Sequence, residues 1–407
     1  MPDQRCAITR AEDGTVRLAG TAAGPAFTRA VLDVAGAVLT WPVLGPTGLP
    51  AAEIHDVGLA QQWLWAVYGE GAAAAVDAFA SGTPAAEPAL PEQPTALAEA
   101  AARLALGHWA ARWWPTSHLD GIPALEPDVL GLELAALAHE CQQLFDESGE
   151  LEGAELLEEH LAALDPLIRW RRSAAPPRQL DRVLRLIDDA ADNAGLDGES
   201  LRRLRSTLEQ DHRTAATTAT TLDLAELFVA QQEFALAAGS LRTATGRVVA
   251  RGSGTNDWCR CPPGFVDAAE NAVSWTAYAL GAERRIEVEV VADSAAPSGE
   301  VRLAAEVRVD GSPPNRVLLA RQEDMWAGRA DLDIPASTTP GIEVGILLPG
   351  FDPGPGAADD RAAREAVRAL ARHRLGVAAA PHDNEAAHPD LPFVAEIVAA
   401  TAMEEDF

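Results

Sequence analysis

Ile286-Glu287-Val288-Glu289-Val290, with Val301-Arg302-Leu303-Ala304-Ala305-Glu306-Val307-Arg308-Val309-Asp310 shortly after it, is the stretch on which the fold turns. Apolar and polar residues alternate in both runs. Successive side chains of a strand point to opposite faces, so each run buries one face and wets the other. This predicts antiparallel strands, with Arg302 or Arg308 opposite Glu287 or Glu289 across the ladder. Arg247 to Arg251, Val273 to Leu280, Arg316 to Arg321 and Ile342 to Leu348 read as further strands between turn residues. About six or seven short strands over residues 246–350 make the pattern of an antiparallel β-sandwich.

Upstream the period lengthens to that of a helix. Thr95 to Trp114, Pro127 to Glu147, Leu151 to Trp170, Pro177 to Ala194, Glu199 to His212 and Leu222 to Ala238 form a predicted all-helical bundle over 95–240. Pro127 suits a first turn, whereas Pro166 should kink or split the third helix. No repeat of fixed length runs through these helices, which favours a compact bundle over a solenoid. Residues 81–94 (SGTPAAEPALPEQP) read as a proline-rich linker. Before it, residues 1–80 read as a small α/β unit. It has a hairpin turning at Asp13-Gly14, an ambiguous apolar run at Ala30 to Leu39 broken by Trp41-Pro42, and a helical pattern from Glu53 to Ala80 divided near Gly69 and Gly71. Residues 357–407 read as a helical C-terminal tail. The fold class expected is thus α+β multidomain.

Composition bounds the chemistry. A chain of 407 residues exceeds one ordinary core, and roughly 100–200 residues per domain predicts about two to four units. No long uncharged apolar run and no basic, apolar leader is present, so the expectation is a cytoplasmic chain away from membranes. Four cysteines, two of them isolated at Cys6 and Cys141, suit a reducing compartment. The net charge is -29, and all 32 basic residues are arginine. Without lysine there is no Walker A loop, no kinase strand lysine and no Schiff base to pyridoxal. So acidic a field repels phosphate backbones, which argues against nucleic acid.

The candidate sites are local. Trp109, Trp113 and Trp114 crowd the end of a helix that Pro115 stops, and the turn behind them carries His118 and Asp120. This is either the rim of a pocket or a filled corner. Cys259-Arg260-Cys261 is half a metal site if the segment is extended, but no second cysteine pair completes it. His139-Glu140-Cys141-Gln142-Gln143 starts like a zincin helix and lacks its second histidine. No Gly-x-Ser-x-Gly elbow occurs. Gly252 to Asp257 is a loop able to offer amides to an anion, and Asp352 to Gly356 with Asp359 and Asp360 is acidic without cation-loop spacing. Ile168-Arg169-Trp170-Arg171-Arg172 reverses the local charge, and arginine and tryptophan are hot-spot residues. The reading is a non-catalytic binding or assembly component of a cytoplasmic complex, without metal or cofactor. It would meet a protein partner or a second copy through Arg169, Trp170, Arg171 and Arg172. The rival reading is a hydrolase-like enzyme using His118, Asp120, His139 and Cys141 at an interdomain cleft.

Overall fold

Asp13-Gly14 reverses the chain between β1 (Ile8–Arg10) and β2 (Val16–Leu18), which pair antiparallel with Thr9 opposite Arg17. The computed structural model describes residues 6–19, 24–46, 48–83, 87–91, 93–173, 176–211, 246–281, 283–293, 296, 301–332, 341–351, 360–380 and 391–405. These fall into two compact units: Met1–Ala111 with Leu125–Phe228 and His373–Phe407, and Arg112–Ala124 with Val229–Arg372.

In the first unit the run Ala30 to Leu39 is a hairpin of β3 (Arg29–Val34) and β4 (Ala37–Pro42). Ala35-Gly36 forms its turn, with Gly36 at φ +75°. A β-carbon on Gly36 would overlap the carbonyl of Asp56, so only glycine fits. Trp41-Pro42, expected to break the run, closes β4 instead. Glu53 lies in β5 (Ala51–Ile54), not in a helix, and the sheet runs β1-β2-β5-β4-β3, antiparallel throughout. Alanine-rich β5 is too short to show its period, which hid it in the helical pattern that follows. Helices begin after Asp56, whose Oδ1 accepts from Leu59 N at 3.0 Å. They are α1 (Val57–Ala60), α2 (Leu64–Tyr68) and α3 (Glu70–Ala80), with Gly69 at φ +85° between the last two.

The helical part follows: α4 (Ala96–Trp113), α5 (Pro127–Glu140), α6 (Glu147–Glu159), α7 (Leu164–Arg171), α8 (Arg178–Asn193) and α9 (Glu199–Asp211). The chain breaks between α6 and α7, which puts Pro166 in the first turn of α7, where its missing N–H is harmless. The predicted helix Leu222 to Ala238 lies outside the described residues. In α8, Leu180, Val183, Leu184, Ile187, Ala190 and Ala191 are buried, the stripe a helix lays on its neighbours. Two helices follow the second unit's strands in sequence, α10 (Arg361–Ala379) and α11 (Val394–Glu405).

The second unit corrects the sandwich. Its strands are β6 (Arg247–Ser253), β7 (Val273–Leu280), β8 (Glu283–Val291), β9 (Leu303–Val309), β10 (Asn315–Gln322), β11 (Met325–Leu332) and β12 (Ile342–Leu347). They form one antiparallel sheet in the order β12-β9-β10-β11-β8-β7-β6, rather than two facing sheets. The sheet curls because β10 pairs with β9 through Asn315–Leu319 and with β11 through Ala320–Gln322. Just past β6, Thr255 bridges Gly345 of β12, linking the two ends of the sheet. Inside the curl Trp275, Ile286, Val288, Val290, Leu303, Val307, Val317, Leu319, Trp326, Val344 and Ile346 make one core. Since β8 lies between β7 and β11, Glu287 faces Arg329, with Nη2 to Oε1 at 2.6 Å, and Arg308 faces Glu343. Glu287 is thus met by Arg329, where Arg302 or Arg308 was expected. Among the described residues no helix is long and apolar enough to cross a membrane.

Candidate functional site

Pro115 ends α4 at Trp113, and the turn that follows is built around a buried carboxylate of the second unit. Asp267 Oδ1 accepts from Ser117 Oγ at 2.7 Å and Ala269 N at 2.9 Å, and its Oδ2 accepts from His118 N at 2.8 Å and Leu119 N at 3.3 Å. With four donors on it, this carboxylate anchors backbone. Trp113 and Trp114 are buried, and Trp114 Nε1 donates to Pro123 O at 2.9 Å. Trp109 belongs to the first unit, buried, with Nε1 donating to Phe27 O at 2.7 Å. His118 is exposed. Asp120 is engaged by Arg368 Nε at 3.3 Å and Arg372 Nη2 at 3.1 Å. Beside it Glu270 receives Arg364 at 2.8 Å, Arg368 at 3.1 Å and Arg361 at 3.3 Å. Burial pushes Glu270 up, but Arg364 and Arg368 outweigh it and hold the carboxyl below its ordinary value.

The other residues of the enzyme reading belong to the first unit. Cys141 is fully buried, and burial raises its thiol far above the ordinary value, the opposite of an activated nucleophile. His139 lies in the last turn of α5. Cys259 and Cys261 are not on an extended strand. Cys261 N donates to Asp257 O at 2.8 Å, a helical turn that sends the two side chains in different directions. Both are buried and in no disulfide, and burial, with Asp257 adding, pushes Cys261 up to about 12. The Gly252 to Asp257 loop spends its amides internally: Gly254 N donates to Val273 O at 3.0 Å and Thr255 N to Val344 O at 2.8 Å. The Asp352 to Gly356 segment and Asp359 lie outside the described residues.

The segment Arg169 to Arg172 is only partly surface. Trp170 is buried, and Arg171 is buried with Nε donating to Asp181 Oδ1 at 2.6 Å. Both side chains continue the inward stripe of Leu164, Leu167 and Ile168. Arg169 and Arg172 are exposed, and Arg172 donates to Thr207 Oγ1 at 2.6 Å. An expectation that Trp170 presents its ring to a partner therefore gives way to a core role.

Three features escaped the sequence. Nine of the ten tryptophans are buried, and Trp65 alone is 50% exposed, with Leu59, six residues earlier, at 39%. Its Nε1 donates to Gln62 O at 3.1 Å, which fixes the ring. Second, the first unit holds a buried charge clamp. Glu133 accepts from Arg103 at 2.8 Å and from Val394 N at 2.7 Å, and Glu396 accepts from Arg374 Nη2 at 2.8 Å and from Phe393 N at 2.7 Å. The ring of Phe393 lies between the two guanidiniums, 4.6 Å from Arg103 and 5.3 Å from Arg374. Third, α5, α6 and α8 leave a cleft of about 40 Å³ whose lining includes Ala135, His139, Gln142, Phe145, Leu157 and Asn193. A motif search misses all three, because each depends on which helix faces meet. Comparison with protein families, with curated proteins and with solved structures finds no match to this chain.

Proposed function

We propose that the chain is a non-catalytic binding or assembly component of a cytoplasmic protein complex, and that it meets its partner, a protein or a second copy of itself, through the surface around Trp65. The observation that carries this reading is the exposure of that one tryptophan when the other nine are buried. A fixed, half-exposed indole loses little side-chain freedom on association, and tryptophan is among the residues most enriched where binding energy concentrates. Leu59 adds apolar area, and Arg169 and Arg172 offer a second, basic contact on a chain of net charge -29. So negative a chain favours a protein over nucleic acid as partner.

The test compares Trp65→Ser with wild type by sedimentation of the purified protein and by co-purification from the native cell. Association weakened by about 1–3 kcal/mol with an unchanged melting temperature supports the reading. Loss of self-association identifies a second copy as partner, and loss of a co-purifying chain identifies another protein. Retention of every association at wild-type yield overturns it. The companion variant replaces Arg169 and Arg172 only, because Arg171 is buried and holds both Asp181 and Thr207 O, so removing it would unsettle α7 itself.

A further inference from the structure

We infer that the free edge of β3 is an interface between two copies of this chain, paired antiparallel about a two-fold axis at Val31. This goes beyond the surface around Trp65 and uses other residues. Of the four sheet edges, three are guarded. β1 has three residues, β6 carries a bulge between Val248 and Ala250, and β12 is bonded to Thr255, which donates to Val344 O at 2.8 Å and accepts from Ile346 N at 3.3 Å. β3 closes the first sheet with six residues in unbroken register against β4. Pro42, which has no N–H, lies opposite Arg29, so every second residue from Arg29 turns its backbone groups away from β4. At the two ends these groups are used: Arg29 N donates to Ala26 O, and Ala35 N, just past the strand, donates to Leu144 O at 2.9 Å. Between them the N–H groups of Val31 and Asp33 and the carbonyls of Arg29, Val31 and Asp33 have no backbone partner among the described residues.

The side chains select the occupant. Arg29, Val31 and Asp33 share the outward face of β3, while Ala30, Leu32 and Val34 are buried. Val31, at the centre, is 47% exposed. Arg29 Nε is shut off from solvent without an acceptor, Asp33 is exposed, and neither side chain is in an ion pair among the described residues. Four residues apart on a strand, the two stand about 13 Å from each other and do not pair within one chain. An antiparallel copy centred on Val31 sets Arg29 opposite Asp33 of the second copy, Asp33 opposite its Arg29, and the two Val31 side chains side by side. The axis is normal to the sheet, so all six side chains stay on one face. Val31 N–H and C=O then exchange two bonds with their equivalents, and each Asp33 N–H reaches the Arg29 carbonyl of the other copy. Charges guard an edge when they repel their own copy, and these attract it.

The experiment is sedimentation equilibrium of the purified full chain at about 0.15 M salt, where exposed charges more than about 8 Å apart are largely screened and the general repulsion of two acidic copies is reduced. One strand pair is a small interface, so a monomer–dimer equilibrium with a Kd on the order of 10–100 μM is expected. Arg29→Asp brings two carboxylates together at each end and Asp33→Arg brings two guanidiniums, so each alone should weaken the dimer by roughly tenfold or more. An equimolar mixture of the two variants again sets opposite charges across the edge and should dimerise as wild type does. Val31→Lys places two ammoniums on the axis at an exposed position, and it should abolish the dimer with the melting temperature of the monomer kept. Trp65→Ser should leave this dimer intact. If Trp65→Ser abolishes self-association and the β3 variants retain it, β3 is not the interface, while the Trp65 reading stands. A wild-type chain that stays monomeric up to about 1 mM, a dimer indifferent to Val31→Lys, or a mixture of the charge variants that stays monomeric would each overturn the inference.

Discussion

Two helical glycines in neighbouring helices make opposite demands. At Gly131 in α5 the ring of His160 occupies the space a β-carbon would take, and Asp128 Oδ1 accepts from its Nδ1 at 2.9 Å. At Gly153 in α6 a β-carbon meets only Ala138 Cβ, at 3.8 Å. Gly131→Ala should therefore lower stability by about 1–3 kcal/mol or more, because the imidazole must leave its seat. Gly153→Ala should raise stability by about 0.5–1 kcal/mol, through the ordinary cost of glycine inside a helix. Denaturant midpoints of the two variants check this, and two shifts of the same sign would refute the packing described. Neither residue announces itself in the sequence, where both are glycines in apolar helical runs. The tryptophans show where legibility stops. Trp170 lies three residues past Leu167 and Arg171 seven past Leu164, on the stripe that α7 turns inward, so their burial was readable from spacing. The exposure of Trp65 was not, because irregular turns between α1 and α2 shift the helical phase.

Strands were the most legible elements, since sequence alternation marks β8 and β9, although β9 is buried on both faces from Leu303 to Val307. Alternation does not say whether the dry sides belong to two sheets or to one that curls. That choice rests on the bend of β10 and the bridge at Thr255, which are tertiary facts. β11 was missed because Trp326-Ala327-Gly328 breaks the alternation. Gly328 is there because a β-carbon would overlap the carbonyl of Leu318 on β10. The charged face of α10 was equally silent, since Arg361, Arg364 and Arg368 have meaning only against Glu270. That seam predicts a pH dependence. Glu270 is held below its ordinary value of 4.5 in the folded chain, so the stability it contributes is present above the unfolded value and is lost as pH falls through the folded one. Glu306, which burial raises but Arg260 and Arg316 pull lower still, adds in the same direction. Glu270→Gln should be less stable than wild type near neutral pH, and the gap should close as the solution is acidified below the carboxylate range. Thermal melts of both forms from pH 7 downward measure it, and a gap independent of pH would remove Glu270 from the account.

For the whole molecule, the segment from Ser81 to Pro94 carries four prolines; Ser81, Gly82 and Thr83 bond back to the end of α3, and Cys6 N donates to Pro88 O at 3.1 Å. Limited proteolysis should cut there before it cuts residues 127–170, whose helices are hydrogen-bonded and packed. First cleavage inside α5 or α7 would reverse that order of local stability. The charge clamp has a different consequence, one that concerns time. Arg103 meets Leu391 across 288 positions of sequence, and Glu133 meets Val394 across 261. Contacts so distant must wait for the search that joins their ends, and during synthesis they must wait for the later segment to emerge. The hairpins β7–β8 and β10–β11 pair neighbours in sequence and need no such wait. The unit that opens with β1 is therefore the one that completes last. Until α11 docks, Phe393 has no seat and the guanidinium of Arg374 has no counter-charge, so a chaperone meeting a nascent chain would find this unit open after the curled sheet has closed.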